Sequence, residues 1–231
     1  NARRMINSNE RLCMATIPED MFIEAVNALV KAEEDWVPSE PETSLYIRPF
    51  AFACESSLGV HKSKAYKFVI ILSPVGAYYA EVKIMVEDEY VRAVQGGTGF
   101  TKCGGNYAGS IIGQVKAEKY GCSQVLWLDG RERKYVEEVG AMNIMFKIDG
   151  EIYTAPIEGT VLPGVTRDSI IHILKDWGYK VNETHLSVDD LMQAGRDGRL
   201  EEVYGTGTAA VISPVGALVY KGEEITINNF K

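Results

Sequence analysis

Asp149-Gly150 stands between two runs rich in apolar and branched residues, Asn143 to Ile148 and Glu151 to Thr154. That dipeptide is a strong signal for a two-residue hairpin turn, and so for an antiparallel pair of strands. A hairpin in mid-chain argues against a doubly wound parallel sheet. Helical stretches surround it. Ala108 to Lys119 has Gly121 suited to its C-terminal stop, Thr166 to Trp177 is stopped by Gly178, and Ser187 caps a further short helix. Gln124 to Asp129 reads as a buried strand, Val82 to Val86 as a short one, and Val203 to Ile227 as strands and turns. The expected class is therefore α+β.

The earlier part of the chain has its own pattern. Thr16-Ile17-Pro18-Glu19 has the form of a capping box with proline in the first turn. Phe22, Ile23, Val26, Ala28, Leu29 and Val30 follow at helical spacing, and Pro38 and Pro41 end the element. Ser44 to Phe52 and Tyr66 to Leu72 read as strands. Ser73-Pro74-Val75-Gly76 is expected to break the second strand, and the stretch to Glu81 to cross between domains. The division expected is residues 1–80 and residues 81–231.

Composition excludes several classes. The chain has 231 residues, 46% of them hydrophobic, enough for a core without staples. Lys plus Arg number 24 against 32 Asp plus Glu, a net charge of −8, which disfavours nucleic acid and anionic membrane as partners. A local cationic pocket for a small anion remains compatible with that balance. The longest apolar run, Phe68 to Ala80, is interrupted by Ser73, Pro74 and Gly76 and is too short to span a bilayer. The chain opens Asn1-Ala2-Arg3-Arg4-Met5, with no secretory apolar region and no initiator methionine. Cys13, Cys54, Cys103 and Cys122 form no CxxC pair and no zinc spacing, so reduced thiols in a cytoplasmic protein are expected. His61, His172 and His185 read as solvated or structural.

Five segments have residue types suited to chemistry. Half of the residues from Gly96 to Gly105 (GGTGFTKCGG) are glycine, and Lys102 sits among them. Glycines allow close approach of backbone to a ligand, and a lysine there is either a solvated turn residue or, if desolvated, an amine nucleophile. Leu162-Pro163-Gly164-Val165-Thr166-Arg167-Asp168 leads into a helix whose first N–H groups could cradle an anion. Tyr204 to Ala210 (YGTGTAA) is either a tight turn or a backbone cradle. In Glu137-Glu138-Val139-Gly140, one acid could face a buried cation or lie on a solvated edge. Tyr46 and Arg48 share a strand face, as an ordinary pair or as a carboxylate reader.

Taken together, and in this order, these segments resemble the branched-chain aminotransferases, members of the fold-type IV class of pyridoxal-phosphate enzymes. KCGGNY at Lys102 to Tyr107, EEVGAMN at Glu137 to Asn143, LPGVTRD at Leu162 to Asp168 and GTGTAA at Gly205 to Ala210 carry the resemblance. SLYIRPF at Ser44 to Phe50, SLGV at Ser57 to Val60, SPVGAYY at Ser73 to Tyr79 and GCSQVLWLDG at Gly121 to Gly130 extend it over nearly the whole chain. It implies a small N-terminal domain, in part, followed by a large cofactor-binding domain resembling D-amino acid aminotransferase. It implies a cytoplasmic homodimer that exchanges the amino groups of leucine, isoleucine and valine with 2-oxoglutarate by a ping-pong route.

The resemblance also implies roles. Lys102 would form the Schiff base with pyridoxal 5'-phosphate and then shuttle the proton. Glu138 would hold the pyridine nitrogen, Tyr107 would contact the phenolic oxygen and Leu162 would pack on the ring. Val165, Thr166 and Thr208 would bind the phosphate. Tyr46, with Thr208 and Ala209, would take the substrate α-carboxylate, and Arg48 and Tyr78 would line that pocket. Some positions depart from the family pattern. The family's phosphate-contacting arginine falls upstream of the segment matching Asn1 to Met5, and the crossing after Tyr79 is short. Ala210 and Ser213 replace a redox CxxC found in mammalian members, and Ala141 stands where many members carry a hydroxyl. A D-amino acid aminotransferase, an aminodeoxychorismate lyase and a non-catalytic relic are the alternatives.

Overall fold

A computed structural model describes residues 1–76, 82–208 and 211–228. The chain divides into two compact units, Asn1–Tyr78 and Tyr79–Lys231.

The first unit has two helices, α1 (Ala2–Arg11) and α2 (Glu19–Ala32), and one antiparallel pair of strands, β1 (Ser44–Ala53) and β2 (Tyr66–Val75). Helix α1 is mostly polar and is not among the elements expected from the sequence. Asn9 ties its end by donating from Nδ2 to the carbonyl of Ala15 at 2.8 Å. Helix α2 starts two residues later than a capping box at Thr16 would place it. Pro18 is the N-cap, with no side-chain cap, and Glu19 and Asp20 supply the negative charge that a helix N-terminus favours. Strand β2 runs through Ser73-Pro74-Val75 instead of breaking there, with Pro74 opposite Leu45. In a two-stranded sheet each strand has an unpaired edge, so a proline costs no ladder bond on that side.

Among the described residues, the second unit is built on nine strands. These are β3 (Val82–Glu87), β4 (Gln124–Leu128), β5 (Val136–Val139), β6 (Met142–Ile148), β7 (Glu151–Thr154), β8 (Val181–Glu183), β9 (Leu200–Gly207), β10 (Val211–Tyr220) and β11 (Glu223–Thr226). Strand β3 runs parallel to β4 and β10, whereas β5, β6 and β9 join by antiparallel pairings. The pairing of β9 with β10 returns to the start, so β3, β4, β5, β6, β9 and β10 form a closed ring. The hairpin β6–β7 turns at Asp149 and Gly150, both at positive φ (51° and 76°). This mixed sheet is the α+β arrangement expected.

Three helices cover the sheet: α3 (Gly104–Lys119), α4 (Val165–Asp176) and α5 (Val188–Arg196). Period-two alternation separates the two faces. Ile84, Val86, Leu126, Leu128, Val139, Ile144, Phe146, Val203 and Leu218 form the main core, joined by Leu191 and Met192 of α5. On the other face, Met85, Val125 and Trp127 pack with Ala117 of α3, and Met145 and Ile152 pack with Ile171 and Leu174 of α4. Gly113 allows α3 its close approach, since a Cβ there would lie 2.5 Å from the Trp127 ring. Ser187 caps α5 as expected, its Oγ accepting from the N–H of Asp190 at 3.0 Å.

Helix α3 begins at Gly104, not at Ala108, so Lys102 lies immediately before its first turn. The side chain of Asn106 folds the glycine loop back onto that turn. Its Nδ2 donates to the carbonyls of Thr98 (2.9 Å) and Thr101 (2.8 Å), and Thr98 Oγ1 donates to its Oδ1 at 2.8 Å. These bonds offset the cost of the two glycines, Gly104 and Gly105, that open the helix. The four cysteines are free thiols, and the three histidines make partly exposed contacts with Glu55, Asp168 and Glu158. No helix among the described residues is long and apolar enough to cross a membrane.

Candidate active site

One row of side chains crosses the face that carries α3 and α4. Glu87, Trp127, Glu138, Asn143 and Thr206 are successive cross-strand neighbours on β3, β4, β5, β6 and β9. Cross-strand neighbours place their side chains on the same face, roughly 5 Å apart at Cβ. The turn at Gly140-Ala141 sets the centre of the row, because it pairs Val139 with Met142 and hence Glu138 with Asn143.

Glu138 is 3% exposed. Its Oε2 lies 2.8 Å from Nη2 of Arg92, whose side chain is 8% exposed. Its Oε1 accepts from the N–H of Leu162 at 2.6 Å and from Asn143 Nδ2 at 3.3 Å. Asn143 Nδ2 also donates to the carbonyl of Leu162 at 2.9 Å. Burial pushes the Glu138 carboxyl up to about 7, against the opposing pull of Arg92 and of the Leu162 N–H. Glu137, beside it, is also raised by burial, although the Thr160 hydroxyl and Arg92 hold it down in part. A carboxylate offers about four lone-pair positions, so Glu138 retains room for one further donor.

Arg92 was not singled out in the sequence. Beyond Glu138 it donates to the carbonyls of Gly99 (3.0 Å from Nη2) and Thr160 (3.2 Å from Nη1). It therefore ties the glycine loop, the Glu138 carboxylate and the segment leading into α4 to one guanidinium. Removing one member of a buried ion pair costs about 3–5 kcal/mol. Arg92→Leu is expected to lower stability by about 3 kcal/mol, the low end, because Glu138 can respond by taking up a proton. Arg92 is also the strongest of the influences holding the Glu138 carboxyl down. Activity of the variant should therefore fall more at pH 7 than at pH 9, a difference that kcat/KM profiles would show.

A cleft between the glycine loop and strand β5 is lined by Arg92, Lys102, Tyr107, Glu138, Ala141 and Leu162, among others. Lys102 is exposed, not desolvated, because the loop presents it at the helix start and not under it. Its Nζ donates to Tyr107 Oη at 2.9 Å and stands 5.6 Å from the centre of that ring. Cys103, next in sequence, is the N-cap of α3. Burial raises its thiol, but hydrogen bonds from Thr101, Thr98 and the N–H groups of Asn106 and Gly105 outweigh that and lower it.

Four of the residues singled out from the sequence thus share one cleft: Lys102, Tyr107, Glu138 and Leu162. Val165 and Thr166 begin α4, whose N-cap is Gly164 and which has no side-chain cap. Helix and row touch here, since a Cβ on Gly164 would lie only 2.0 Å from Asn143 Oδ1. Thr208 is exposed in the turn that follows β9. Tyr46 and Arg48 belong to the first unit, with the Arg48 guanidinium 4.8 Å above the Tyr46 ring. Tyr78 and Ala209 lie outside the described residues.

A buried acid opposite a lysine, beside a bare helix N-terminus, is a donor set suited to a phosphorylated, nitrogen-containing ring. Comparison with known proteins agrees. Residues 1–218 match the family described as amino-transferase class IV.

The chain belongs to the amino-transferase class IV family.

Among its relatives is branched-chain-amino-acid aminotransferase 2 of Bacillus subtilis, 55% identical over 99% of this chain. The chain spans 64% of the length of that relative. A crystallised branched-chain amino acid aminotransferase from Escherichia coli superposes with a TM-score of 0.78 at 26% identity, over all of this chain and 71% of that one. A T.th. branched-chain amino acid aminotransferase complexed with N-(5'-phosphopyridoxyl)-L-glutamate gives 0.78 at 28% identity, over 100% of this chain and 71% of that one. The class IV fold expected from the resemblance is thereby shown.

Proposed function

We propose that this chain is the greater part of a pyridoxal-phosphate enzyme that transfers amino groups between branched-chain L-amino acids and 2-oxoglutarate. The observation that carries the reading is the buried Glu138, held between Arg92 and the Leu162 N–H and facing the cleft that contains Lys102. The names of the Bacillus subtilis and Escherichia coli relatives supply the substrate class, and the phosphopyridoxyl-glutamate complex of the T.th. enzyme supports both the cofactor and glutamate.

Bound pyridoxal phosphate would supply an electron sink for the substrate Cα. Lys102 Nζ would hold it at the aldehyde carbon, and on release would take the proton from the substrate Cα. Tyr107 Oη, 2.9 Å from Nζ, orients that amine and stands ready for the ring's phenolic oxygen. Glu138 keeps its position open for a protonated ring nitrogen, and Arg92 keeps Glu138 from drifting. Leu162 would pack on the ring face. The α4 N-terminus with Val165 and Thr166, and Thr208 from the next strand end, would seat the phosphate through N–H and hydroxyl donors. Such a seat needs no large basic patch, which suits a chain of net charge −8. Tyr46, Arg48, Tyr78 and Ala209 remain assigned to the substrate carboxylate pocket by resemblance.

The resemblance implies a homodimer in the cytoplasm. The exposed Ile111, Ile112 and Val115 of α3 offer such an assembly an apolar surface to bury. Initial-rate kinetics of the full-length protein with L-leucine and 2-oxoglutarate test the reading. Parallel double-reciprocal lines are expected, and intersecting lines would overturn it. Turnover of D-leucine in preference to L-leucine would instead favour a D-amino acid aminotransferase on the same fold.

A further inference from the structure

The row that contains Glu138 and Asn143 ends at a group with no role so far. Thr206 on β9 is 2% exposed, and its hydroxyl has no hydrogen-bond partner among the described residues. Nearly all buried polar side chains find a partner, so an orphaned one calls for an explanation. Fold stability gives none, since valine would fill the same volume on a strand without the unpaired oxygen.

Its surroundings supply one. Alternation along β9 puts Thr206 on the same face as Tyr204, which packs against the cluster containing Ile171 and Leu174 of α4. Its cross-strand neighbour is Asn143, and Asn143 Oδ1 abuts Gly164, the N-cap of α4. The hydroxyl's cross-strand neighbour thus abuts the N-cap of a 12-residue helix that has no side-chain cap. The leading N–H groups of such a helix have no partners inside it and point the same way. Thr208, two residues further on, is exposed in the turn that follows β9.

We propose that Thr206 is a further phosphate-binding residue, its hydroxyl donating from below to a phosphate monoester seated on the N-terminus of α4. The inference rests on the cofactor reading above and deepens it. Thr206 is the buried counterpart of the rim donors: it fixes the depth of the phosphate and so the height of the ring over Glu138.

The test is equilibrium binding to the full-length apoprotein, read by fluorescence quenching, with pyridoxal phosphate, pyridoxal and inorganic phosphate as separate probes. A hydrogen bond to a charged group supports an affinity loss of roughly 10- to 100-fold when it is removed. Thr206→Val is expected to weaken pyridoxal phosphate and inorganic phosphate by about that factor, with pyridoxal changed less than about twofold. Thr206→Ser should restore most of the affinity. The melting temperature of the Thr206→Val apoprotein should equal or exceed that of the parent. Unchanged phosphate affinity, an equal loss for pyridoxal, or a fall of several degrees in melting temperature would each overturn the proposal. If the parent protein binds pyridoxal as tightly as pyridoxal phosphate, the phosphate seat itself fails, and the cofactor reading fails with it.

Discussion

Lys102→Ala in the full-length protein is expected to lower kcat/KM for L-leucine by at least about 10⁴-fold while leaving the melting temperature nearly unchanged. The size follows from the two tasks that converge on one nitrogen. Nζ is the proposed covalent anchor and also the proposed base at the substrate Cα, and positioned general-base catalysis alone supplies roughly 10²–10⁴-fold. The insensitivity of stability follows from position. Lys102 is exposed and its side chain rests against Tyr107, so truncation removes no core packing. Surface substitutions of that kind stay within about 0.5 kcal/mol. Tyr107→Phe supplies the graded control. It removes the oxygen 2.9 Å from Nζ but keeps the ring, so its loss of activity should be much smaller than that of Lys102→Ala. Activity of Lys102→Ala within tenfold of the parent, measured by steady-state rates, would remove Lys102 from the chemistry.

Much of this site could be read from local sequence, and the part that could not has a common cause. Turns, caps and helix stops depend on a few adjacent residues, which is why Asp149-Gly150, Ser187, Gly121 and Gly178 behaved as expected. The pairing of Glu138 with Asn143 was also within reach. A two-residue turn at Gly140-Ala141 fixes it, and the turn stands inside the EEVGAMN motif. Arg92 is different. It is 46 residues from Glu138, and their meeting depends on β3 and β4 lying side by side in parallel, with α3 between them in sequence. The only local hint was an arginine at the mouth of a glycine-rich loop that follows a strand. Thr206 shared a face with Thr208 by simple alternation, but nothing local shows that its hydroxyl is unpaired. Of the two readings open for Lys102, the structure shows the exposed one, and nothing local could choose between them. Glycine content told of close backbone approach, whereas the start of α3 at Gly104 decided where the side chain points. Pro74 misled because its meaning depends on how many strands flank it, and β2 has only one.

The apoprotein should lose stability as pH rises from about 5 to 7.5, and Glu138→Gln should largely remove that loss. The sign comes from the direction of the shift. Burial raises the folded-state carboxyl from an ordinary 4.5 to about 7, so the folded chain holds its proton where the unfolded chain has released it. Stability falls wherever the folded state binds more protons, which here is the window between those two values. A displacement of that size corresponds to about 3 kcal/mol, and Glu137, raised in the same direction, adds to it. Denaturant unfolding at a series of pH values measures the slope. A parent protein with flat stability across the window, or a Glu138→Gln variant with the parent's slope, would contradict the argument. Glutamine keeps an oxygen for the Leu162 N–H but cannot carry the charge that a protonated ring nitrogen requires. The same substitution should therefore cost roughly 10²–10³-fold in kcat, the loss typical of removing one preorganised electrostatic partner. At pH 8 the variant should be less active than the parent, with a stability close to the parent's, because losing the buried carboxylate charge is offset by leaving Arg92 without its partner. A flattened pH slope together with a large loss of kcat in one substitution separates a residue retained for chemistry from one retained for the fold: Glu138 is a buried charge that Arg92 offsets only in part and that a second cation would complete.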